Sequence, residues 1–524
     1  MNPLTRLPKI PSDQITPLIA ELLGTIQLQM EEIQFLKDEI ARLKGQKPKP
    51  KIKPSNLEKE TDKKKSSKKK PKSRKKSKTK KLEINQDIPL KPENLPPGSK
   101  FKGYQDYVVQ DLILASWNIR YRRERWQTPS GDYAIGQLPE NVDGHFSSSL
   151  VSFVLYQHYG CCVTQPLILE QLHELGVDIS SGQVNNIIIN NKERFHNEKD
   201  LILSTGLQIS NYINVDDTGA RHKGQNGYCT HIGNEYFAWF ESTLKKNRIN
   251  FLEILRVEHM DYVINSDAIE YMSVHGLPDY QVAKFMHIKG EIFNDRELLA
   301  TFLFSNGIVS NLHIRIATEG ALVGSIISHG YNKDLAIISD DAGQFNVFLH
   351  ALCWVHAERT IHKLIGFTTE QQELLTKTRS DIWQLYRDLK EYQLQPDKSM
   401  KFELENRFDE LFTRKTAFAT LDLALKRIYL NKSELLLVLE RPDIPLHNNL
   451  SERDIREYVK RRKISGSTRS NTGKKCRDTF TSLKKTCRKL RISFWDYLND
   501  RISNKNKIPP ISDVMKYQVA QAGP

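Results

Sequence analysis

The stretch "YINVDDTGARHKG", residues 212–224, carries an apolar, β-branched run that ends in two adjacent carboxylates, Asp216 and Asp217. A short apolar run that stops at acidic residues and glycine is typical of a buried strand. Neighbouring strand residues point to opposite faces, so Asp216 shares a face with Asn214. Asp217 shares the other face with apolar Ile213 and Val215, which we expect to be the packed face. The pattern therefore favours Asp216 as the chemically active acid, although periodicity alone leaves both open.

A second apolar strand, "LAIISDDAGQF" (residues 335–345), also ends in two acids, Asp340 and Asp341. A third acid, Glu452, lies near the start of a basic helix. Mg²⁺ prefers oxygen ligands, and two such ions about 4 Å apart activate the attacking oxygen and stabilise the leaving oxygen in phosphoryl transfer. The pattern predicts that Asp216, Asp340 and Glu452 are the catalytic and metal-binding residues, with Mg²⁺ as cofactor and Mn²⁺ as a substitute.

Each of these acids also has a purely structural interpretation. Asp and Gly are common where strands end and turns begin. Glu452 follows Asn449 by three residues, the spacing of a helix capping box, and precedes Arg456 by four, the spacing of a helical ion pair. No single acid therefore indicates a metal site, and the prediction rests on two similar strand ends together with a third acid.

The segment "HALCWVHAER", residues 350–359, places Cys353 and His356 at the spacing of half a zinc site. No second half follows nearby, so we favour a helix in which Cys353 and Trp354 are packed. The sequence does not decide whether Arg359 and His362 face DNA or the acids.

Length and composition limit the classes of protein to which the chain can belong. A chain of 524 residues is too long for one core and predicts several domains. No apolar run approaches the roughly 18 residues of a membrane span, and the first residues lack the apolar centre of a secretion signal. Six scattered cysteines indicate free thiols in a reducing cytoplasm. We expect a cytoplasmic protein.

The net charge of +15 is concentrated in two segments. Residues 47–81 hold 18 Lys and Arg against 3 acids, and residues 452–491 hold 15 against 4. This distribution indicates a polyanionic partner, most simply DNA. The alternative for the first segment is a tail that only keeps the protein soluble. Six residues of the second segment are predicted to bind DNA: Arg453, Arg456, Lys460, Arg461, Arg462 and Lys463.

The N-terminal part divides into two regions. Residues 1–46 carry heptads and predict a leucine-zipper-like coiled coil that forms a homodimer or higher oligomer; a single amphipathic helix is the alternative. One heptad position holds Ile19, Ile26, Ile33 and Ile40, and the other holds Ile15, Leu22, Leu36 and Leu43. Residues 47–97 are rich in Lys, Ser and Pro and predict a disordered basic linker.

Residues 98–204 predict a helical DNA-binding region. Residues 104–138 suggest a β-hairpin formed by "YVVQDLIL" and "NIRYRRERWQTP". The stretch at 164–189 predicts helix, turn, helix, with Thr164 as first cap, Gly176 as breaker, and Ser180 or Ser181 starting the second helix. A helix-turn-helix that contacts DNA and a helical hairpin that only packs both fit this pattern.

Residues 205–465 predict the catalytic α/β domain, with a helical insertion at about 366–440. "YCTHIGNEYFAWFEST" (228–243) predicts a hairpin, and "NFLEIL" (250–255) predicts a further strand. An apolar stripe marks the insertion as helical: Ile382, Leu385, Leu389 and Tyr392. Residues 466–524 form a basic C-terminal region.

Together these motifs resemble the insertion-sequence-66 family of bacterial transposases. The family's first-acid motif D-E-T corresponds to "DDTG" at Asp216. Its second motif, Asp, an aromatic residue five positions later and C-W-x-H-A-x-R, corresponds to Asp340, Phe345 and "CWVHAER". Its third motif, N-N-x-x-E-R, corresponds to "NNLSER" with Glu452. A leucine-zipper-like N-terminus and a "spgLlA…LPLyRq…Gv.iS" passage, here residues 147–180, complete the likeness.

The resemblance implies an RNase H-like catalytic domain with a DDE triad, preceded by the coiled coil, the basic linker and the DNA-binding region. It implies Mg²⁺-dependent cleavage at the ends of an insertion sequence, then attack of the freed 3′-hydroxyl on target DNA, with accessory transposition proteins as possible partners. The chain departs from the family in two ways. Residues 82–160 contain no cysteine, although the family usually carries a zinc module there, and Asp217 stands where the family has Glu.

Two other classes remain as alternatives to a DNA transposase. One is a domesticated or inactive sequence-specific DNA-binding protein derived from a transposase. The other is an RNase H-like nuclease or resolvase, which the zipper, the helical insertion and the basic C-terminal region argue against.

Overall fold

The computed structural model describes residues 84–90, 99–139, 142 and 144–522, together with Gln29. The predicted coiled coil (1–46) and most of the predicted linker (47–97) lie outside the described residues. From Ala115 onward the chain forms one compact unit, and residues 24–114 belong to a second unit. The described parts of that second unit at 84–90 and 99–114 contain no helix or strand.

A small hairpin forms at the start of the main unit, but not with the strands that the sequence suggested. Strand β1 (Arg125–Gln127) pairs antiparallel with β2 (Tyr133–Ile135). The turn lies at "TPSGD" (128–132), where Gly131 has a φ of +90°. Residues 107–114 form no strand, so that part of the prediction is wrong. Because the turn-forming residues follow both predicted strands rather than separate them, only the second run could enter a hairpin.

Four helices follow, as predicted for this region: α1 (Ser148–Leu155) with a π-helical turn (Tyr156–Gly160), α2 (Gln165–Glu174), α3 (Ser181–Ile189) and α4 (Glu193–Ile209). Ser180 caps α3 through a capping box with Gln183, whereas Thr164 precedes α2 without a side-chain capping bond. Gly176 takes a φ of +77° between α2 and α3. The helical pair is therefore confirmed, and its contact with DNA stays a prediction.

The centre of the fold is a mixed five-stranded sheet with the order β5-β4-β3-β8-β9. Its strands are β3 (Tyr212–His222), β4 (Gln225–Gly233), β5 (Ala238–Thr243), β8 (Ala336–Ser339) and β9 (Leu349–Leu352). The first three pair antiparallel, which confirms the predicted hairpin at 228–243, and β3, β8 and β9 run parallel. Ile213 and Val215 are fully buried, as expected for the packed face, but Asn214 is only 1% exposed. Both faces of β3 are therefore covered.

The segment between β5 and β8 is a module of short strands and helices. It contains α5 (Arg248–Leu255), β6 (Tyr262–Val263), α6 (Ser266–Val274), α7 (Asp279–Met286), β7 (Ile292–Phe293), α8 (Arg296–Ser305) and α9 (Asn311–Ser328). The predicted strand "NFLEIL" is wrong, because these residues lie in α5, which Asn247 caps. Four of its six residues are buried apolar side chains, so the run has no periodicity that separates a strand from a helix.

Helices fill the segment between β9 and the helix of the third acid. The first is α10 (Trp354–His362), and the region predicted as the helical insertion then holds α11 (Thr369–Leu394), α12 (Lys398–Thr413), α13 (Ala419–Tyr429), α14 (Lys432–Leu435) and a 3₁₀ turn (Leu437–Leu439). The predicted apolar stripe of α11 is buried, which confirms its interpretation. Among the described residues no helix has the length and apolar character needed to cross a bilayer.

The C-terminal region consists of α15 (Asn449–Ser465), α16 (Asn471–Lys489), α17 (Phe494–Ile502) and α18 (Ile511–Ala522). Helix α16 covers the free edge of β5. Three of its side chains, spaced by four residues, accept hydrogen bonds from backbone N–H groups of the strand: Asp478 from Ser242, Ser482 from Phe240, and Thr486 from Ala238. This arrangement satisfies edge groups that would otherwise be free to pair with another chain. Part of the second basic segment is therefore structural.

Candidate catalytic site

Asp216 lies in the middle of β3, on the face that meets the start of α15. Asn214, on the same face, donates a hydrogen bond to Asn448 Oδ1 at 2.9 Å. Asp217 points to the other side, where Thr230 and Gln344 donate to its two carboxylate oxygens at 2.5 and 2.9 Å. Since those bonds occupy Asp217, Asp216 is the acid of the pair that is oriented towards the third motif.

Asp340 follows β8, the parallel neighbour of β3. Strand β3 continues past Asp216 to His222, so the predicted strand end at this acid is wrong. Parallel pairing aligns Asn214 with Ile338, and Asp340 therefore lies beside Asp216, two residues further along each chain segment. Burial, and then the charge of Asp340, raise the pKa of Asp216 to about 7. Asp340 Oδ1 is buried and accepts no hydrogen bond from the described residues. The other acid, Asp341, is half exposed and pairs with Arg427.

Glu452 lies in the first turn of α15 and faces two side chains of α10. Arg359 Nη1 lies 3.2 Å from Glu452 Oε1 and 3.0 Å from His356 Nε2. Burial, and then the nearby charge of Arg359, lower the pKa of His356, whereas the charges of Asp340 and Glu452 raise it. His356 therefore lies within electrostatic range of the second and third acids.

The structure also settles what the sequence left open around these residues. Arg359 faces an acid, Glu452, whereas His362 is largely exposed and lies 3.8 Å from Glu358. The cap of α15 is Asn448 rather than Asn449, and it makes no side-chain capping bond, so no capping box forms around Glu452. The predicted helical ion pair is present but long, with Arg456 at 3.9 Å from Glu452.

Two buried residues, Cys353 and Asn448, join the three elements that carry the acids. The Cys353 backbone donates to Ser339 O at 3.0 Å, beside Asp340, and its sulfur accepts from the Asn448 backbone at 3.2 Å. The Asn448 side chain donates to Val215 O at 2.7 Å. Cys353 is thus packed, as favoured over a zinc ligand, and burial raises the pKa of its thiol to about 11.

A second buried contact fixes α15 against β4. His231 lies directly opposite Asp216 in the β3–β4 register. Its Nδ1 lies 2.8 Å from Ser451 Oγ, and its Nε2 lies 3.3 Å from Asp454 Oδ2. All three side chains are buried. Serine, histidine and aspartate form catalytic triads in other proteins, but here their contacts hold Ser451 and Asp454, on either side of Glu452, against β4. The sequence held no signal for this contact, because the residues are far apart in the chain.

Comparison with known proteins agrees with this geometry. Residues 329–476, which include Asp340 and Glu452, match the sequence model of the family described as "Transposase IS66 family". The chain is also 43% identical over 303 residues to the uncharacterized protein y4jO of Sinorhizobium fredii, an alignment that covers 57% of this chain and 94% of that protein. The chain belongs to the IS66 transposase family. The resemblance noted from the motifs is thus confirmed.

In this IS66-family chain, most of the basic residues predicted to bind DNA form one exposed stripe on α15. Arg453, Arg456, Lys460 and Lys463 are exposed and follow one another at spacings of three, four and three residues, so they share a helix face. Arg462 is half-buried beside them.

Arg461 is placed differently from this prediction. It is only 6% exposed, donates to His158 O at 3.1 Å, and lies with its guanidinium carbon 4.5 Å from the centre of the Tyr159 ring. Arg461 therefore fixes α15 to the π-helical turn and is not available at the surface.

Proposed function

We propose that this IS66-family chain is a DDE transposase that cuts DNA at the ends of an insertion sequence and transfers the freed 3′-hydroxyl to target DNA. Asp216, Asp340 and Glu452 are its three catalytic acids. The observation that carries the proposal is the placement of two aspartates side by side, Asp216 within β3 and Asp340 just after the parallel strand β8, with the helix of Glu452 bonded to β3.

The donor set suits Mg²⁺, with Mn²⁺ as a substitute. All three side chains offer oxygen, and Asp340 Oδ1 is a buried oxygen without a hydrogen-bond donor among the described residues. The pKa of Asp216 is raised because its negative charge is unfavourable when it is buried beside Asp340. A bound cation would offset this unfavourable charge. When bound by these acids, the ion supplies a Lewis acid that activates the attacking oxygen and stabilises the leaving oxygen.

Arg359 and His356 position the third acid. A guanidinium only donates hydrogen bonds, so the contact at 3.0 Å makes His356 Nε2 the acceptor and places the histidine proton on Nδ1. A neutral His356 agrees with its lowered pKa. Arg359 therefore holds Glu452 through a charged bond while His356 limits the movement of the guanidinium.

The RNase H-like part of the proposal is supported by the sheet. Three antiparallel strands are extended on the side of β3 by two parallel strands, and the acids lie on the two central neighbours β3 and β8. The insertion α11–α14 separates β9 from α15, as in the arrangement that the resemblance implies.

The exposed stripe on α15 begins beside Glu452 and is the surface that we assign to DNA. Each lysine that contacts a phosphate releases a counterion, which makes the logarithm of the affinity fall more steeply with salt. We expect the double variant Lys460→Gln/Lys463→Gln to bind duplex DNA more weakly and to reduce the salt slope by about 2. Fluorescence anisotropy over a range of salt concentrations measures both quantities.

The matched control is Lys505→Gln/Lys507→Gln, which removes the same charge from an exposed loop between α17 and α18. An equal loss of affinity and salt slope in both double variants would contradict a specific role of the stripe.

The predicted self-association through residues 1–46, the basic linker, and accessory transposition proteins as possible partners belong to the same proposal. The coiled coil and most of the linker lie outside the described residues, and the accessory proteins are other molecules. The complex on DNA is expected to be a homodimer or a higher oligomer.

End cleavage tests the proposed function. Purified full-length protein is given labelled duplexes that carry the DNA flanking its gene, with and without added Mg²⁺ or Mn²⁺. We expect nicks that leave a 3′-hydroxyl at the element end and that require the added ion. Binding without cleavage under every ion would contradict the proposal and favour the alternative, a DNA-binding protein derived from a transposase.

A further inference from the structure

A second group of metal-ligating side chains lies in the module between β5 and β8. His259 and Asp261 lie in the loop between α5 and β6, and His329 lies at the C-terminal end of α9. Their ligand atoms lie within 4.8 Å of one another. The group is composed of residues other than the three acids, and it has no part in the proposed DDE chemistry.

The side chains of this group already lie in contact with one another. His329 Nε2 lies 3.0 Å from both carboxylate oxygens of Asp261. The rings of His259 and His329 are parallel within 1°, with their centres 3.4 Å apart. All three residues are partly exposed, so an ion from solvent can reach them.

Buried neighbours hold the carboxylate and the loop in place. Ser325, which is fully buried in α9, donates to Asp261 Oδ1 at 2.9 Å. Arg256, which is 5% exposed, donates to the backbone oxygen of Asp261 at 2.7 Å and lies over the Tyr262 ring. Outer contacts of this kind orient the ligands of metal sites. The group is therefore built into the fold on two elements.

An ion pair accounts for only part of this arrangement. The pair between Asp261 and His329 explains one histidine. The second histidine, His259, lies outside this pair and contacts it only through the stacked ring. A cation shared by two neutral imidazoles and a carboxylate uses all three side chains.

We propose that His259, Asp261 and His329 form a zinc-binding site with three protein ligands and a fourth position open to water. Two imidazoles and one carboxylate suit Zn²⁺, whereas Mg²⁺ prefers oxygen ligands alone. With bonds of about 2.0–2.2 Å, tetrahedral ligand atoms lie about 3.4 Å apart. Side-chain rotations that turn the two stacked rings towards one ion and bring the ligand atoms closer by up to about 1.4 Å would complete the site.

The ion would tie the loop after α5 to the end of α9. Helix α9 leads directly into β8, the strand that ends at Asp340. The zinc site therefore braces the module β6–α9 against the element that places the second acid.

Zinc binding by the full-length protein tests the proposal. The protein is stripped with a chelator, which is then removed, and Zn²⁺ is titrated by calorimetry. Co²⁺ absorption reports the coordination. We expect His259→Gln and His329→Gln each to bind one Zn²⁺ ion fewer than the wild type, or to bind one Zn²⁺ ion at least about a hundredfold more weakly. Ser325→Ala should weaken that site about tenfold, because it removes only an outer contact.

The matched control is His287→Gln, since His287 is an exposed histidine at the C-terminal end of α7. It should bind Zn²⁺ as the wild type does. Zinc should also raise the thermal unfolding midpoint of the wild type by about 2–4 °C and leave that of either ligand variant unchanged. Equal zinc stoichiometry and affinity in the wild type and both ligand variants would overturn the proposal, as would a wild type that binds no zinc.

Discussion

Replacing Asp340 by cysteine abolishes end cleavage in Mg²⁺ and leaves part of the activity recoverable in Mn²⁺. A thiolate is a soft ligand that Mg²⁺ binds poorly, whereas a transition-metal ion accepts sulfur more readily. Asp340 Oδ1 is buried without a donor among the described residues, so the substitution removes the proposed metal ligand without breaking a hydrogen bond to this oxygen. We expect the cleavage rate in Mg²⁺ to fall by about a thousandfold or more.

The adjacent acid provides the matched control. Asp341 is half exposed and pairs with Arg427 at the surface, an interaction that contributes little to stability. Asp341→Cys should cleave at close to the wild-type rate in either ion. The assignment of Asp340 fails if Asp340→Cys stays active in Mg²⁺, or if Asp341→Cys is the variant that loses activity.

Replacing Asn448 by alanine should destabilise the protein and uncouple the third acid from the sheet. Asn448 is 1% exposed, and its side chain bonds to both Asn214 and Val215 of β3. Loss of these bonds leaves buried polar groups without partners, which costs about 2–4 kcal/mol in the free energy of unfolding. Glu452 follows in the same helix, and a displacement of about 1 Å there can slow cleavage about a hundredfold. Urea unfolding and single-turnover cleavage measure the two effects.

Asn449→Ala is the control, because this neighbouring half-buried asparagine takes no part in the contacts with β3. It should change the free energy of unfolding by less than about 1 kcal/mol. Wild-type stability in Asn448→Ala would show that these buried bonds do not hold α15 on the sheet.

Local sequence patterns were sufficient to predict the strands that carry the first two acids. Alternation along β3 favoured Asp216, and in the structure Asp217 points the other way, towards Thr230 and Gln344. Alternation cannot separate Asp340 from Asp341, because β8 is apolar on both faces. Only the fold shows that Asp341 reaches the surface.

The contacts that hold the site together could not be read from the sequence. Asn214 and Asn448 are 234 positions apart, and His231 and Ser451 are 220 apart. Hydrogen bonds of this range are set by tertiary packing, for which periodicity carries no signal. Arg461 was misjudged for the same reason, since a basic run identifies a charged helix but not which of its residues faces the protein.

End cleavage by Glu452→Gln, compared with the wild type on the same duplex, tests the central claim most directly. Glutamine keeps the shape of the side chain and can still accept the bond from Arg359, so the comparison isolates the negative charge. We predict that the variant binds the duplex with unchanged affinity but nicks it at least about a thousandfold more slowly in Mg²⁺. Equal cleavage by both proteins would contradict the account, because Glu452 would then not be the third acid.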